Sequence, residues 1–326
     1  MASLAEIRAR LAAAENNSKG GSSTGGDNAI YPHWNMEEGS STTLRFLPDG
    51  NAKNTFFWQE RAMIRLPFSG VKGEMDSKQT IVQVPCMEMW SETCPVLTEV
   101  RTWFKDKSLE DMGRKYWKKR SYIFQGFVRE NPLADDKTPA NPIRRFIIGP
   151  QLFTIIKGAL MDPELEELPT DYFRGLDFRI TKTAKGGYAD YNTSKWARKE
   201  SALTAEEQAA IAEHGLWDLS TFMPKKPDEA TVKVIKEMFE ASVDGQAYDT
   251  ERWGSYFRPA GVSAPGGSDA APAVTAAPAA KAPVVESDFD EDEPVVAAAP
   301  VVKPAAAAGT QKAEDILAMI RARQKK

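Results

Sequence analysis

With 326 residues, 42% of them hydrophobic and 27% charged, the chain has an ordinary globular composition and is long enough to bury a sizeable core. Two cysteines, Cys86 and Cys94, exclude a disulfide scaffold and suit a reducing compartment, and no run of about 18 apolar residues is present to span a membrane. The formal net charge of −4 argues against a polyanion-binding protein only if the signs are mixed, and here they are segregated.

The opening residues, MASLAEIRARLAAAE, carry charges throughout and lack the apolar centre of a signal peptide. Ser3 as a cap, followed by Leu4, Ile7 and Leu11 at helical spacing, predicts a short amphipathic arm that also carries Arg8 and Arg10. The Gly/Ser-rich SKGGSSTGGD at 18–27 reads as a linker, so the arm is assigned to residues 1–27. A globular core is expected over 28–258. Strands are predicted at Thr43–Leu47, before the turn-like Pro48-Asp49-Gly50, and then at Phe56–Leu66 and Gln79–Val84. Val96, Leu97, Val100 and Phe104 have helical spacing. After a loop at 131–142, Arg144–Ile148 is strand-like and Gln151–Met161 helical. Phe178–Thr183 reads as a strand, Lys185-Gly186-Gly187-Tyr188 as a turn, and Ala205–His214 and Asp228–Ser242 as helices. Residues 259–326 form an Ala/Pro-rich tail with an acidic island, ESDFDEDE at 286–293, and a basic amphipathic segment at 312–326. Ile7-Arg8-Ala9-Arg10 recurs there as Ile320-Arg321-Ala322-Arg323.

One stretch mixes two residue types that rarely share a surface. In GRKYWKKRSYIFQGFV (113–128) the cations Arg114, Lys115, Lys118, Lys119 and Arg120 are interleaved with Tyr116, Trp117, Tyr122, Phe124 and Phe127, with no acidic residue among them. Cations that meet phosphates and rings that stack on bases have this composition, as does a half-buried strand carrying solvated lysines. A second cluster, Lys182, Lys185, Tyr188, Tyr191, Lys195, Trp196, Arg198 and Lys199, repeats the mixture around two glycines and offers an opposite wall for the same ligand. Within the first stretch, Lys118, Lys119, Arg120 and Tyr122 are expected to face the ligand, and Ile123 and Phe127 the core.

Other chemistry is thinly represented. Cys86 and Cys94 with two distant histidines fall short of the four ligands a structural zinc needs. The acids Asp135-Asp136 and Asp162, Glu164, Glu166 and Glu167 sit where solvated carboxylates are common, although a metal-dependent nuclease would need them to converge. No Walker loop, GxGxxG or nucleophile elbow is present, and no enzymatic activity is expected.

The order of several motifs resembles the single-stranded DNA-binding (helix-destabilising) proteins of T-even-type phages. Leu44-Arg45-Phe46-Leu47-Pro48, Thr93-Cys94-Pro95-Val96, Lys118-Lys119-Arg120-Ser121-Tyr122 and Gly187-Tyr188-Ala189-Asp190-Tyr191 followed by Ser194-Lys195-Trp196 carry the likeness, which spans roughly residues 28–199. The resemblance implies a mainly β core with peripheral helices, an α+β chain built on an OB-fold-like barrel. It implies cooperative, sequence-independent coating of single-stranded DNA in phage replication, recombination and repair, in the cytoplasm of a bacterial host. Tyr122, Tyr188 and Tyr191, with Tyr116, would stack on bases. Lys118, Lys119 and Arg120 would meet phosphates, and the two mixed clusters add Arg114, Lys115, Lys185 and Lys195 as DNA-binding candidates. The arm, through Ile7, Arg8 and Arg10, would contact a neighbouring copy, and Asp288, Phe289 and Asp290 in the tail would contact replication and recombination proteins.

The departures are specific. Zinc-binding members use one histidine and three cysteines, whereas Leu97 stands at the third cysteine and 62–85 holds no histidine. No cofactor is therefore expected, and Cys86 and Cys94 are read as remnants of a zinc site. The arm lacks the family's basic Lys/Arg-Ser/Thr motif, and a basic segment follows the acidic island. An RNA-binding module is the alternative reading, since it would use the same rings and cations, and a metal-dependent nuclease a more distant one.

Overall fold

A computed structural model describes residues 29–74, 77–133 and 139–259. The arm with Ile7, Arg8 and Arg10, the tail with Asp288, Phe289 and Asp290, and the Asp135-Asp136 pair lie outside them. The elements run β1 (Ser41–Phe46), β2 (Gln59–Phe68), β3 (Thr80–Pro85), α1 (Pro95–Trp103), α2 (Glu110–Tyr116), β4 (Lys119–Glu130), β5 (Arg144–Ile148) and α3 (Pro150–Leu160). They continue as β6 (Asp177–Thr181), β7 (Thr183–Lys185), β8 (Tyr188–Asp190), β9 (Lys195–Trp196), α4 (Ala205–His214), α5 (Glu229–Val243) and α6 (Thr250–Trp253).

β4 organises the sheet. Its first half pairs antiparallel with β2, from Met63 opposite Lys119 to Gln59 opposite Ile123. Its second half pairs with β1, from Phe46 opposite Gly126 to Thr43 opposite Glu130. Both partners therefore lie end to end along one edge, while β5 occupies the other edge over Tyr122–Gly126. The sheet runs β3-β2-β4-β1-β6-β9 with β5 as a branch, and β7 and β8 form a separate hairpin. The closed barrel expected from the resemblance is not formed among the described residues. The architecture is an antiparallel α+β sheet that remains open, because β3 and β9 end the path without pairing to each other.

The junction of β1 and β2 on β4 is built from residues with no freedom to vary. A Cβ on Gly126 would stand 2.0 Å from the carbonyl oxygen of Arg45, so only glycine lets the strands approach. Beside it the fully buried Gln125 amide donates to the carbonyls of Pro48 (2.7 Å) and Trp217 (2.9 Å) and accepts from the Trp217 N–H (2.8 Å). It replaces the ladder bonds missing between the two partner strands, as a buried amide must.

Among the described residues, three apolar clusters flank the sheet. The outer halves of β2 and β3 pack with α1, α2, α5 and α6 around Ile64, Phe68, Val84, Trp103, Tyr116 and Phe239. α3 covers the second cluster, which contains Phe46, Tyr122, Phe124, Phe146, Phe178 and Tyr191. A smaller group, Leu47, Phe127, Ile143 and Leu203, lies under α4. Above it runs a polar network. The Arg129 guanidinium binds Asp177 (2.8 Å) and Glu207 (2.7 Å), and Arg45, fully buried, reaches Asp177 at 3.6 Å and the Asp171 carbonyl at 2.5 Å. Glu207 also closes the capping box of α4 with Thr204. No helix among the described residues is long and apolar enough to cross a membrane.

Cys86 and Cys94 are buried in the first cluster beside Met87 and Leu97. Cys94 is the more acidic: it is lowered to about 6 first by the Cys86 thiol and then, against burial, by backbone N–H groups of Leu97, Met87 and Val96. Cys86 is pushed up, first by that shared bond and then by burial. Among the described residues no group of three His, Cys, Asp or Glu side chains converges on a point.

His33, 1% exposed, lies edge-on to Tyr191, and burial lowers its pKa to about 4 from 6.5. Its imidazole is thus neutral when folded but protonates below pH about 6.5 when unfolded. Stability should fall as pH drops from about 6.5 to 4, by on the order of 3 kcal/mol at about 1.4 kcal/mol per pKa unit. Carboxylates add to the loss only below about pH 5. Chemical denaturation between pH 7 and 5 should therefore show a shallower slope in His33→Gln than in wild type, the part that remains coming from the lowered Cys94 thiol.

Candidate nucleic-acid interface

The mixed stretch at 113–128 does not form one strip. Its first residues belong to α2, which stops at Tyr116; Trp117 is the joint, and β4 starts at Lys119. Helix and strand sort the side chains differently. Tyr116, on the inner face of α2, packs edge-on to Phe239 and Trp103, and its hydroxyl lies 3.1 Å from Ser242 Oγ. Arg114 and Lys115, on the outer face, are exposed, with Arg114 bound to Glu110 at 2.8 Å and Lys115 5.7 Å from the Tyr116 ring centre.

Three of the expected base-stacking rings are inside the protein. Tyr122 is 5% exposed and its face is covered by Phe153 of α3, ring centres 3.5 Å apart and planes within 9°. Alternation along β4 puts Tyr122 on the same side as Phe124, toward the core, and that overturns its expected outward aim. Tyr191 is buried in the same cluster with His33 against it, and Tyr116 is buried as described. Lys118 is also largely enclosed, its ammonium 3.1 Å from Glu88 and 5.9 Å from the Trp117 ring centre. Lys182 is spent on structure, donating to the carbonyls of Trp34 (2.7 Å) and Met36 (2.9 Å). Ile123 and Phe127 are buried, as expected for core positions.

Tyr188 points outward. It sits with Lys185 across the β7-β8 hairpin, whose two-residue tip has Gly186 at φ +63° and Gly187 at φ +85°. Two successive left-handed residues make the mirror-image turn that a two-residue hairpin needs, and glycine adopts it without strain. The paired positions put Thr183, Lys185, Tyr188 and Asp190 on one face and Ala184 and Ala189 on the other. Ala189 packs on the core, so the ring of Tyr188, 49% exposed, and the exposed Lys185 ammonium are held outward together.

α3 connects this hairpin to a second aromatic surface. At its first turn Gln151 donates to Asp190 Oδ1 (2.6 Å) and accepts from the Tyr191 N–H (3.0 Å), which fixes the base of the hairpin. One residue on, beyond Leu152, Phe153 packs on Tyr122 and against Trp58, at 5.4 Å between ring centres. Trp58 is half-buried and leads outward to Phe56, 57% exposed, ring centres 4.7 Å apart. The result is a tier of rings from Tyr122 inside to Phe56 in solvent. Lys157, exposed one turn after Phe153, adds a cation along α3. Arg120 stands on the Tyr122 side of β4, 3.5 Å from Glu60, and Lys119 on the opposite side, both half-buried. Lys195, on β9 opposite Arg179, is exposed.

Phe56 and Trp58 were not singled out from the sequence, which placed 56–66 in a strand. The strand begins at Gln59, and residues 47–58 form the connection between β1 and β2. The signal was present in Phe56-Phe57-Trp58: three adjacent rings cannot all reach one core, because neighbouring residues point apart. The carboxylates at 162, 164, 166 and 167 lie exposed on the surface after α3.

The two kinds of tyrosine should separate in a stability measurement. Tyr122→Ala removes a packed core ring and should cost about 3–5 kcal/mol in urea denaturation. Tyr188→Ala, at a hairpin tip, should stay within about 0.5 kcal/mol of wild type. Among known proteins, no family matches this chain and no curated protein matches it.

Proposed function

We propose that the protein binds single-stranded DNA without sequence preference, as a non-enzymatic coating protein. The observation that carries this reading is the presence of outward rings and cations about α3: Tyr188 with Lys185 across the hairpin, and Phe56 and Trp58 stacked toward Phe153, whose helix carries the exposed Lys157 one turn on. A flexible strand offers every base as a π-face and every linkage as a negative charge, so such a surface takes it with little regard for sequence. In this reading the rings that contact bases are Tyr188 and Phe56, with Trp58 and Phe153 behind them. Arg120, Lys157, Lys185 and Lys195 lie toward phosphates, and Tyr116, Tyr122 and Tyr191 support the surface from within. Arg114, Lys115 and Lys119 extend its positive field, and Lys118 holds the α2–β4 joint to Glu88.

The ordered motifs that resemble the T-even-type phage proteins support the same proposal, including roles in replication, recombination and repair and an OB-type ancestry for the core. A long strand that serves two partners in succession along one edge is a way for a sheet to turn a corner, as small barrels do. Cooperative contact through the arm and partner recruitment through the acidic island belong to the proposal as well.

Titration of an oligonucleotide against intrinsic tryptophan fluorescence tests it. Tyr188→Ala and Phe56→Ala should each weaken binding by about 1–3 kcal/mol, the usual cost of removing a base–ring stack. Lys185→Ala with Lys195→Ala should flatten the log–log salt dependence by roughly 0.7 for each phosphate that is no longer neutralised. Wild-type affinity in both ring variants would place the binding surface elsewhere. Preference for a matched RNA strand in competition would reassign the ligand as RNA.

A further inference from the structure

The turn after α3 exposes apolar side chains that the nucleic-acid face does not use. Leu168 is 64% exposed and Phe173 is 72% exposed. The backbone carrying them is firmly held. The Asp171 N–H donates to the Leu168 carbonyl (2.9 Å), and Asp171 Oδ1 accepts from the N–H groups of Phe173 (2.8 Å) and Arg174 (2.7 Å). The Asp171 carbonyl receives the buried Arg45 guanidinium, and the Tyr172 carbonyl receives the Leu203 N–H at 2.8 Å. Phe173 is therefore presented by a fixed turn. An exposed apolar patch with a polar rim is a common mark of an interaction surface.

The rim is acidic. Asp162, Glu164, Glu166 and Glu167 are exposed before the patch and Glu200 beside it, while the one cation of the turn, Arg174, is already held by Glu167 (2.8 Å) and Glu200 (3.0 Å). An occupant should thus be apolar on one side and positively charged. The segment KAEDILAMIRARQKK at 312–326 has that chemistry. It places Ile316, Leu317 and Ile320 at helical spacing, with five Lys or Arg residues against two acids. MASLAEIRARLAAAE at the other end has two of each and lacks the complementary charge. The Ala/Pro-rich sequence between 259 and 312 gives a tether whose root-mean-square span is roughly 40 Å even at the flexible limit, about the width of a domain this size.

We propose that residues 312–326 dock on the Leu168–Phe173 surface of their own chain, with Ile316 and Ile320 against Phe173 and Leu168 and the terminal cations over the acidic rim. This contact loops the acidic island back toward the core and sets where that island can reach. It stands apart from the DNA-binding reading and would hold for another ligand.

The test is paramagnetic relaxation in the full-length protein carrying a nitroxide at Gln324→Cys. Amide signals should vanish for 164–174 and return in Ile316→Asp/Ile320→Asp and in Leu168→Ser/Phe173→Ser, two surface changes whose folded state is checked by thermal denaturation. Raising salt should weaken the effect. Signal loss elsewhere, or at 164–174 but unchanged by either pair, overturns the proposal. Loss that appears only on mixing nitroxide-bearing chains with separate isotope-labelled chains would assign the surface to a second copy and overturn docking within the chain.

Discussion

The buried amide of Gln125 is the interaction on which the sheet depends. It lies where β2 has ended and β1 has just begun along one edge of β4, and it binds backbone groups of Pro48 and Trp217 that no strand would otherwise pair. Replacing it with an apolar side chain would leave the Pro48 carbonyl and the Trp217 N–H without this partner, each at a cost of about 1–3 kcal/mol, while the Trp217 carbonyl would keep the Gly50 N–H. Gly126, adjacent, allows the close approach that makes the junction possible. Together they let the chain leave the sheet after Leu47 and return at Gln59, which is the excursion that carries Phe56 and Trp58 to the surface.

The candidate interface follows from that excursion and from α3. The helix starts directly after β5, so its position is fixed by the edge of β4 opposite to the junction. Phe153 then caps Tyr122, while Gln151 holds the base of the β7-β8 hairpin. One short helix thereby sets the positions of both aromatic groups of the candidate interface. Phe56 is supported from below by the rings of Trp58 and Phe153 rather than by mobile aliphatic chains, and Tyr188 by a tight glycine turn. A surface that is ordered before binding loses less entropy on contact.

Much of the fold was legible as periodicity and punctuation. Arg144–Ile148 and Ala205–His214 form over the residues that the pattern indicated, and the Gly186-Gly187 turn forms between a paired Lys185 and Tyr188. The capping Thr204 and Asp228 mark the starts of α4 and α5 by their side-chain bonds. What the chain order hid was direction. Tyr116, Tyr122 and Tyr191 lie among cations in sequence, yet each turns inward once a helix or strand period is imposed. The helix–strand break at Trp117 could not be read from composition, because cations and rings are compatible with either. The partner that covers Tyr122, Phe153, is distant along the chain and reaches it only through the pairing of β4 with β5. Residue type was informative about the surface as a whole, and topology alone assigned it ring by ring.

The Arg129–Asp177–Glu207 network has a consequence for the conditions this molecule can endure. Its charges are mostly shielded from solvent, with side-chain exposures of 18%, 17% and 13%, so dissolved ions screen them far less than they screen Lys185 or Lys195. One of its carboxylates also caps α4, so helix and sheet share a single ionic anchor. Under the proposed function, brine that strips a polyanion from the outer lysines would leave the scaffold's own ion pairs closed. Grip and architecture would then answer to different ranges of ionic strength, and the surface could be emptied and refilled while the fold beneath it stays as it was.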